Sequence, residues 1–164
     1  MSTIRTFEDL DIWQKARQFA RNVYEQTSDG SFAKDFSLKD QINRSSGSVM
    51  DNIAEGFERG GNREFITFLG YSKASAGESR SQLYRALDRK HIDEKTFNDL
   101  KEEALSLGKM IGGFMSYLQK SDMKGSKFHE PENSKFNIQN SELDSEHSKF
   151  KVQNSKLDPP NLEP

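Results

Sequence analysis

The stretch Leu38-Lys-Asp-Gln-Ile42-Asn-Arg-Ser45-Ser-Gly-Ser-Val49-Met-Asp-Asn-Ile53-Ala-Glu-Gly-Phe57-Glu-Arg-Gly-Gly61 decides the fold. Leu38, Ile42, Ser45, Val49, Ile53 and Phe57 recur at spacings of three and four, which puts them on one side of a helix. Gly60 and Gly61 stop that helix, because glycine accepts the backbone angles a helix end needs. The spacing therefore predicts a helix over 38–57. Ser37 and Asp40 look like a capping box at its start, with a shorter acid than usual.

Past the two glycines, Asn62 is a good N-cap. Phe65, Phe68, Leu69, Ser72, Ala76, Ser79, Leu83, Ala86 and Leu87 form the stripe of a third helix ending near Arg89. Asp93 caps a fourth, which carries Phe97, Leu100, Ala104, Leu107, Ile111, Phe114 and Leu118. Upstream, Ile12, Ala16, Phe19, Ala20 and Val23 mark a first helix over 10–27, closed by Ser28-Asp29-Gly30. No alternating β-branched run competes with these helices. Short links fit antiparallel neighbours, so the expected fold is all-α, an antiparallel up-down-up-down four-helix bundle over residues 1–122.

Residues 123–164 follow a different logic. The segment Ser134-Lys-Phe-Asn-Ile-Gln-Asn-Ser-Glu-Leu-Asp144 recurs as Ser148-Lys-Phe-Lys-Val-Gln-Asn-Ser-Lys-Leu-Asp158. Two copies are too few for a solenoid. The polar composition reads as a disordered tail, or as a linear docking motif in two copies anchored by Phe136 with Ile138 and Phe150 with Val152.

The chain has 164 residues, 30% of them charged, and a net charge of −2, so no basic arm announces nucleic acid. It has no cysteine, which removes disulfides, thiolate metal sites and cysteine nucleophiles. No apolar stretch is long enough to span a membrane, and the first residues lack a signal core. A cytoplasmic location is the expectation. No P-loop, dinucleotide fingerprint, metal-carboxylate pattern or Ser-His-Asp arrangement is visible, and no catalytic residue, metal or cofactor is assigned.

Small residues interrupt two helices, Ser45-Ser46-Gly47-Ser48 and Ala74-Ser75-Ala76-Gly77. A mid-helix glycine costs about 1 kcal/mol relative to alanine, so both runs suggest close backbone approach, within the bundle or between subunits. A reversal centred on Gly60-Gly61 makes Arg44 face the turn holding Gly77 and Glu78, which predicts an Arg44–Glu78 ion pair. Asn52 and Glu55 share a face near that reversal, as loop braces or as a polar site at the bundle end.

The runs Phe7-Glu-Asp-Leu-Asp-Ile-Trp-Gln-Lys-Ala16, Asp40-Gln-Ile-Asn-Arg44, Asp51-Asn-Ile-Ala-Glu-Gly-Phe-Glu-Arg59 and Glu64-Phe-Ile-Thr-Phe-Leu69 occur in this order. Together they resemble the bacterial four-helix bundle proteins of the 23S rRNA intervening-sequence family, over residues 5–120. The resemblance implies an up-down bundle assembled as a ring-shaped homopentamer. It also implies kinship with the accessory variability determinant proteins of diversity-generating retroelements, which bind a reverse transcriptase and nucleic acid. It carries over no catalytic residue. The helix-two run Ser45 to Ser48 is more polar than the family's alanine-rich pattern.

Two functions follow as expectations. The first is a non-enzymatic oligomeric binding module for RNA or a nucleic-acid-processing protein. Its candidate phosphate contacts are Arg59, Arg63, Lys73, Arg80 and Arg85, since the planar guanidinium donates two hydrogen bonds at once. Ordinary solvated charges are the plain alternative for each. The second is a small ribonuclease of the HEPN type, with Arg85 stabilising phosphoryl charge and His91 acting as acid or base.

Overall fold

The computed structural model describes residues 4–121. The expectations for the tail and its repeat lie outside those residues. Four long helices account for most of the described chain: α1 (Asp11–Thr27), α2 (Phe36–Glu58), α3 (Asn62–Asp88) and α4 (Glu94–Lys120). Short 3-10 turns at Phe7–Asp9 and Phe32–Lys34 precede α1 and α2. Each helix packs on its chain neighbours, and α1 closes the bundle against α4. None of these helices is long and apolar enough to cross a membrane.

The stripes read from spacing are buried except at Ala20, Phe57, Phe68 and Leu87, which are half-buried. Ile12, Ala16, Phe19 and Val23 of α1 are buried, with Ala20 only half-buried at the edge. Leu38, Ile42, Val49 and Ile53 of α2 meet Phe65, Leu69, Ala76 and Leu83 of α3 and Leu107, Ile111 and Phe114 of α4 in one core. Each large side chain so buried contributes about 1.5–3 kcal/mol through removal of apolar surface from water. Phe65 ties three helices together. Its ring meets Phe57 edge-on at 6.0 Å and Phe114 at 5.7 Å.

Helix ends depart from expectation in two places. Asp35, not Ser37, caps α2, accepting from the Leu38 backbone N–H at 3.2 Å. The 3-10 turn over Phe32–Lys34 buries Phe32 and brings the chain into the helix two residues early. Asn62 is the first residue of α3 rather than its cap; Gly61 holds the cap position in extended backbone. Gly60 makes the reversal possible with φ +73, a conformation costly for any residue with a Cβ. Asp93 caps α4 as expected, accepting from Thr96 N–H at 2.7 Å.

The α2–α3 hairpin carries a polar seam inside the core. Ser72 donates to the Val49 carbonyl at 2.7 Å, and Ser75 to the Ser48 hydroxyl at 3.2 Å. Ser45 lies 2.7 Å from the Ser79 hydroxyl and donates to Gln82 Oε1 at 2.6 Å. Gln82 in turn donates to Glu78 at 3.0 Å. One consistent proton arrangement runs Ser79 to Ser45 to Gln82 to Glu78, ending on a carboxylate. Every buried side-chain polar atom among the described residues finds a partner.

This seam corrects the expected Arg44–Glu78 pair. Arg44 bonds Asp40 of its own helix at 2.8 Å and is largely exposed, while Glu78 terminates the seam. The expected register is close, as Val49 with Ser72 and Ser48 with Ser75 demonstrate, but Arg44 lies on the outer side of α2. The small-residue runs also separate. Added Cβ atoms at Gly47 and Gly77 would meet nothing within 4 Å, so neither marks a close approach among the described residues. The close approach is at Gly56, where a Cβ would stand 2.6 Å from Phe68 Cβ.

Candidate functional site

A groove of about 410 Å³ runs along the outside of α3 and α4. Its floor is made of Ala76, Gly77, Ala104, Gly108 and Gly112, residues too small to fill the space between the two helices. Cβ atoms added at Gly77 and Gly108 would point into open space. Lys73, Arg80 and Lys109 line the same groove. Lys73 and Arg80 are seven residues apart, two helical turns or about 10 Å along one face of α3. The Lys73 ammonium lies 3.4 Å from the place a Gly112 Cβ would take, so the missing side chain makes room for it.

No carboxylate lies among the groove residues, and none of these three cations has an ion-pair partner among the described residues. Three positive charges on one concave surface repel one another, and an anion entering the groove relieves that repulsion. Arg offers a bidentate fork to a phosphate, and lysine a mobile point charge.

The other candidate cations are placed elsewhere. Arg59 is held by Glu55 at 2.7 Å and stacks its guanidinium 4.7 Å from the Phe68 ring centroid. The Glu55 hydrogen bond raises its pKa above the ordinary arginine value. Arg63 opens α3 on the exposed side of the Gly60-Gly61 reversal, its carbonyl accepting from Thr67 at 3.1 Å. Arg85, half-buried, donates to Gln41 of α2 at 2.7 Å. The five residues therefore occupy three places, and only Lys73 and Arg80 converge. Lys109 joins them from α4, where a single exposed lysine offers sequence reading no signal. Glu55 acts as a brace through Arg59, whereas Asn52 bonds back to Ser48 within α2, at 2.7 Å to its carbonyl.

His91 and Arg85 do not share a partner. With Nε2 protonated, His91 donates to Asp35 at 3.0 Å, and its Nδ1 accepts from the Ser31 hydroxyl at 2.8 Å. Phe32 stacks on the imidazole at 5.1 Å. Ser, His and Asp thus do come together, which distance along the chain concealed. Asp35 also pairs with Arg89 and caps α2. The Arg89 hydrogen bond, then those from His91 and Leu38, pull its carboxyl down to about 2. The cluster fastens the α1–α2 turn to the α3–α4 link. No group of three His, Cys, Asp or Glu is placed to hold a metal among the described residues.

The model of the family described as 23S rRNA-intervening sequence protein matches residues 8–113. The chain belongs to this family. The match spans α1 to the last third of α4, and so includes both walls of the cationic groove. A solved structure from Bacteroides thetaiotaomicron, described as a protein of unknown function from the S23 ribosomal protein family, is similar in fold. It is 20% identical, the alignment covers 63% of this chain and 97% of that one, and the TM-score is 0.58. No curated protein matches. In this member of the family, then, the bundle carries a groove with unopposed positive charge on its α3–α4 side.

Proposed function

We propose that this chain is a non-enzymatic, self-associating helical-bundle module whose α3–α4 groove holds the phosphate backbone of an RNA, free or within a ribonucleoprotein. The observation that carries the reading is the convergence of Lys73, Arg80 and Lys109 without a carboxylate beside them. With a net charge of −2 over the whole chain, polyanion binding needs a local concentration of positive charge such as this one, or its repetition in an oligomer. The family's description by an rRNA intervening sequence supports RNA over other polyanions. The open surface at Gly47, outside that groove, supports self-association, since another backbone can approach closely there. The ring that the resemblance implies makes five copies the expected assembly, and the kinship with retroelement accessory proteins that it also implies makes a reverse transcriptase the alternative partner to test.

The test is a filter-binding titration of labelled RNA hairpin and single strand, alongside light scattering read at 260 and 280 nm. Reversing Lys73, Arg80 and Lys109 to Glu should abolish binding. Reversing Lys34, Lys39 and Lys90 should leave most of it. Each cation–phosphate pair removed should lower the salt slope by about 0.7–0.9. Equal binding by both triple variants would end the proposal.

A further inference from the structure

A second groove, of about 670 Å³, lies on the other side of α4, against α1. Its chemistry is opposite to the first. Phe19, Leu107 and Met110 form an apolar floor, and Asp99, Glu102 and Glu103 stand around it with Lys15 as the single cation. Two of the three carboxylates are engaged. Asp99 accepts from Lys95 at 2.7 Å, and both oxygens of Glu103 accept from Asn22 at 2.9 Å. Glu102 has no ion pair among the described residues. A ligand for this groove carries apolar side chains interleaved with lysines.

The chain itself contains such a segment. We propose that the α1–α4 groove is the docking site for the second copy of the tail repeat, Ser148 to Asp158. That copy holds Lys149, Lys151 and Lys156 against one acid, Asp158, and sets Phe150 and Val152 between its lysines. The first copy has the same apolar anchors, Phe136 and Ile138, but only Lys135 against Glu142 and Asp144. The two copies therefore differ chiefly in charge, and an acidic groove selects the second. Residues two apart, the spacing of Phe150 and Val152, can meet one surface together, and lysine stems are long and flexible enough to reach charges beside it.

Reach is no obstacle. The groove lies at most about 35 Å back along α4 from Ser121, at 1.5 Å per residue. The chain between Ser121 and Ser148 spans up to about 90 Å when extended. Exposed ion pairs are weak singly. Tethering compensates, since a tethered segment has an effective concentration of about 1 mM; with an intrinsic affinity of about 0.1 mM it is bound about nine-tenths of the time. This proposal uses no residue of the α3–α4 groove and stands apart from RNA binding.

Limited trypsin digestion of the full chain, followed by mass spectrometry, tests it with an internal standard. Cleavage after Lys149 and Lys151 should be about tenfold slower than after Lys127 and Lys135, the lysines of the earlier tail. The protection should vanish in Glu102→Lys, checked for native helix content by circular dichroism. It should also vanish in Phe150→Ala, which leaves every helix residue unchanged, and in high salt. A synthetic 148–158 peptide should compete, and a 134–144 peptide should not. Protection independent of protein concentration assigns the groove to the chain's own tail; protection that falls on dilution assigns it to a second copy's. Equal cleavage at all four lysines, or protection that survives both Glu102→Lys and Phe150→Ala, overturns the proposal.

Discussion

Replacing Gly56 by alanine sets two effects of opposite sign against each other. Gly→Ala inside a helix is worth about 1 kcal/mol in favour of the folded state, since alanine gives up less backbone freedom on folding. Against this, the new methyl would stand 2.6 Å from Phe68 Cβ and 2.9 Å from Phe65 Cδ2. Phe68 Cβ is one bond from the α3 backbone, so relief requires the helices to separate rather than a side chain to turn. Separation opens the Phe57–Phe65–Phe114 cluster below it. Overpacking of this kind costs about 1–3 kcal/mol, and the anchored neighbour places this case at the upper end. The net expectation is a loss of about 2 kcal/mol, roughly thirtyfold in the unfolding constant. In urea the midpoint should fall by about 1 M, given a slope of about 1–3 kcal/mol/M. Gly77→Ala is the control. Its Cβ meets nothing within 4 Å, so helix propensity acts alone and should stabilise the bundle by about 0.5–1 kcal/mol. Both unfolding curves should be recorded at two protein concentrations to separate folding from assembly. A Gly56→Ala variant as stable as its parent would refute the steric argument.

Ser45→Ala leaves Gln82 Oε1 without its 2.6 Å donor in a buried site and should cost about 1–3 kcal/mol, read by thermal melting; a neutral outcome would mean water replaces the hydroxyl. For Asp35, the folded carboxyl titrates near 2 against an ordinary 3.8, so its stabilising contribution is complete above about pH 4 and is lost as pH falls towards 2. Melting temperature should therefore drop over that window by less in Asp35→Asn than in the parent chain. Gly77→Leu fills the floor of the α3–α4 groove without touching its charges and should weaken RNA binding while circular dichroism stays native. Purified protein should not cleave structured RNA; cleavage that disappears in an Arg85→Ala, His91→Ala double variant would overturn the non-enzymatic reading.

The helices were legible because apolar spacing is a local property. Phe97 to Leu118 needed no partner to be recognised as one face, and Asp93 announced its helix by standing in front of it. What depended on tertiary approach was not legible. Asp35 gained its capping role from a 3-10 turn that buries Phe32, and spacing favoured Ser37 instead. Hairpin arithmetic found the right turns of α2 and α3 but not the sides they present, hence Arg44 on Asp40 rather than Glu78. Among glycines, Gly56, Gly47 and Gly77 look alike in sequence; the positions of Phe65 and Phe68 distinguish them. The candidate cations show the same limit. Lys73 and Arg80 share a helical face, which spacing reveals, whereas Lys109 reaches them from another helix.

The serine seam has a consequence for how the hairpin finds its place. Apolar side chains are poor judges of position, since a leucine slid along one turn, about 5.4 Å, usually meets another apolar surface. Hydroxyls and amides are strict judges. The same slip of α3 along α2 would take the Ser72 hydroxyl from the Val49 carbonyl and the Gln82 Oε1 from Ser45, at about 1–3 kcal/mol for each buried group left unpaired, while Ser45 and Ser79 would keep the carbonyls of their own helices. The matched seam adds little to the strength with which these helices hold each other. It acts as an address more than as an adhesive, making every neighbouring alignment expensive while leaving the native one almost unchanged.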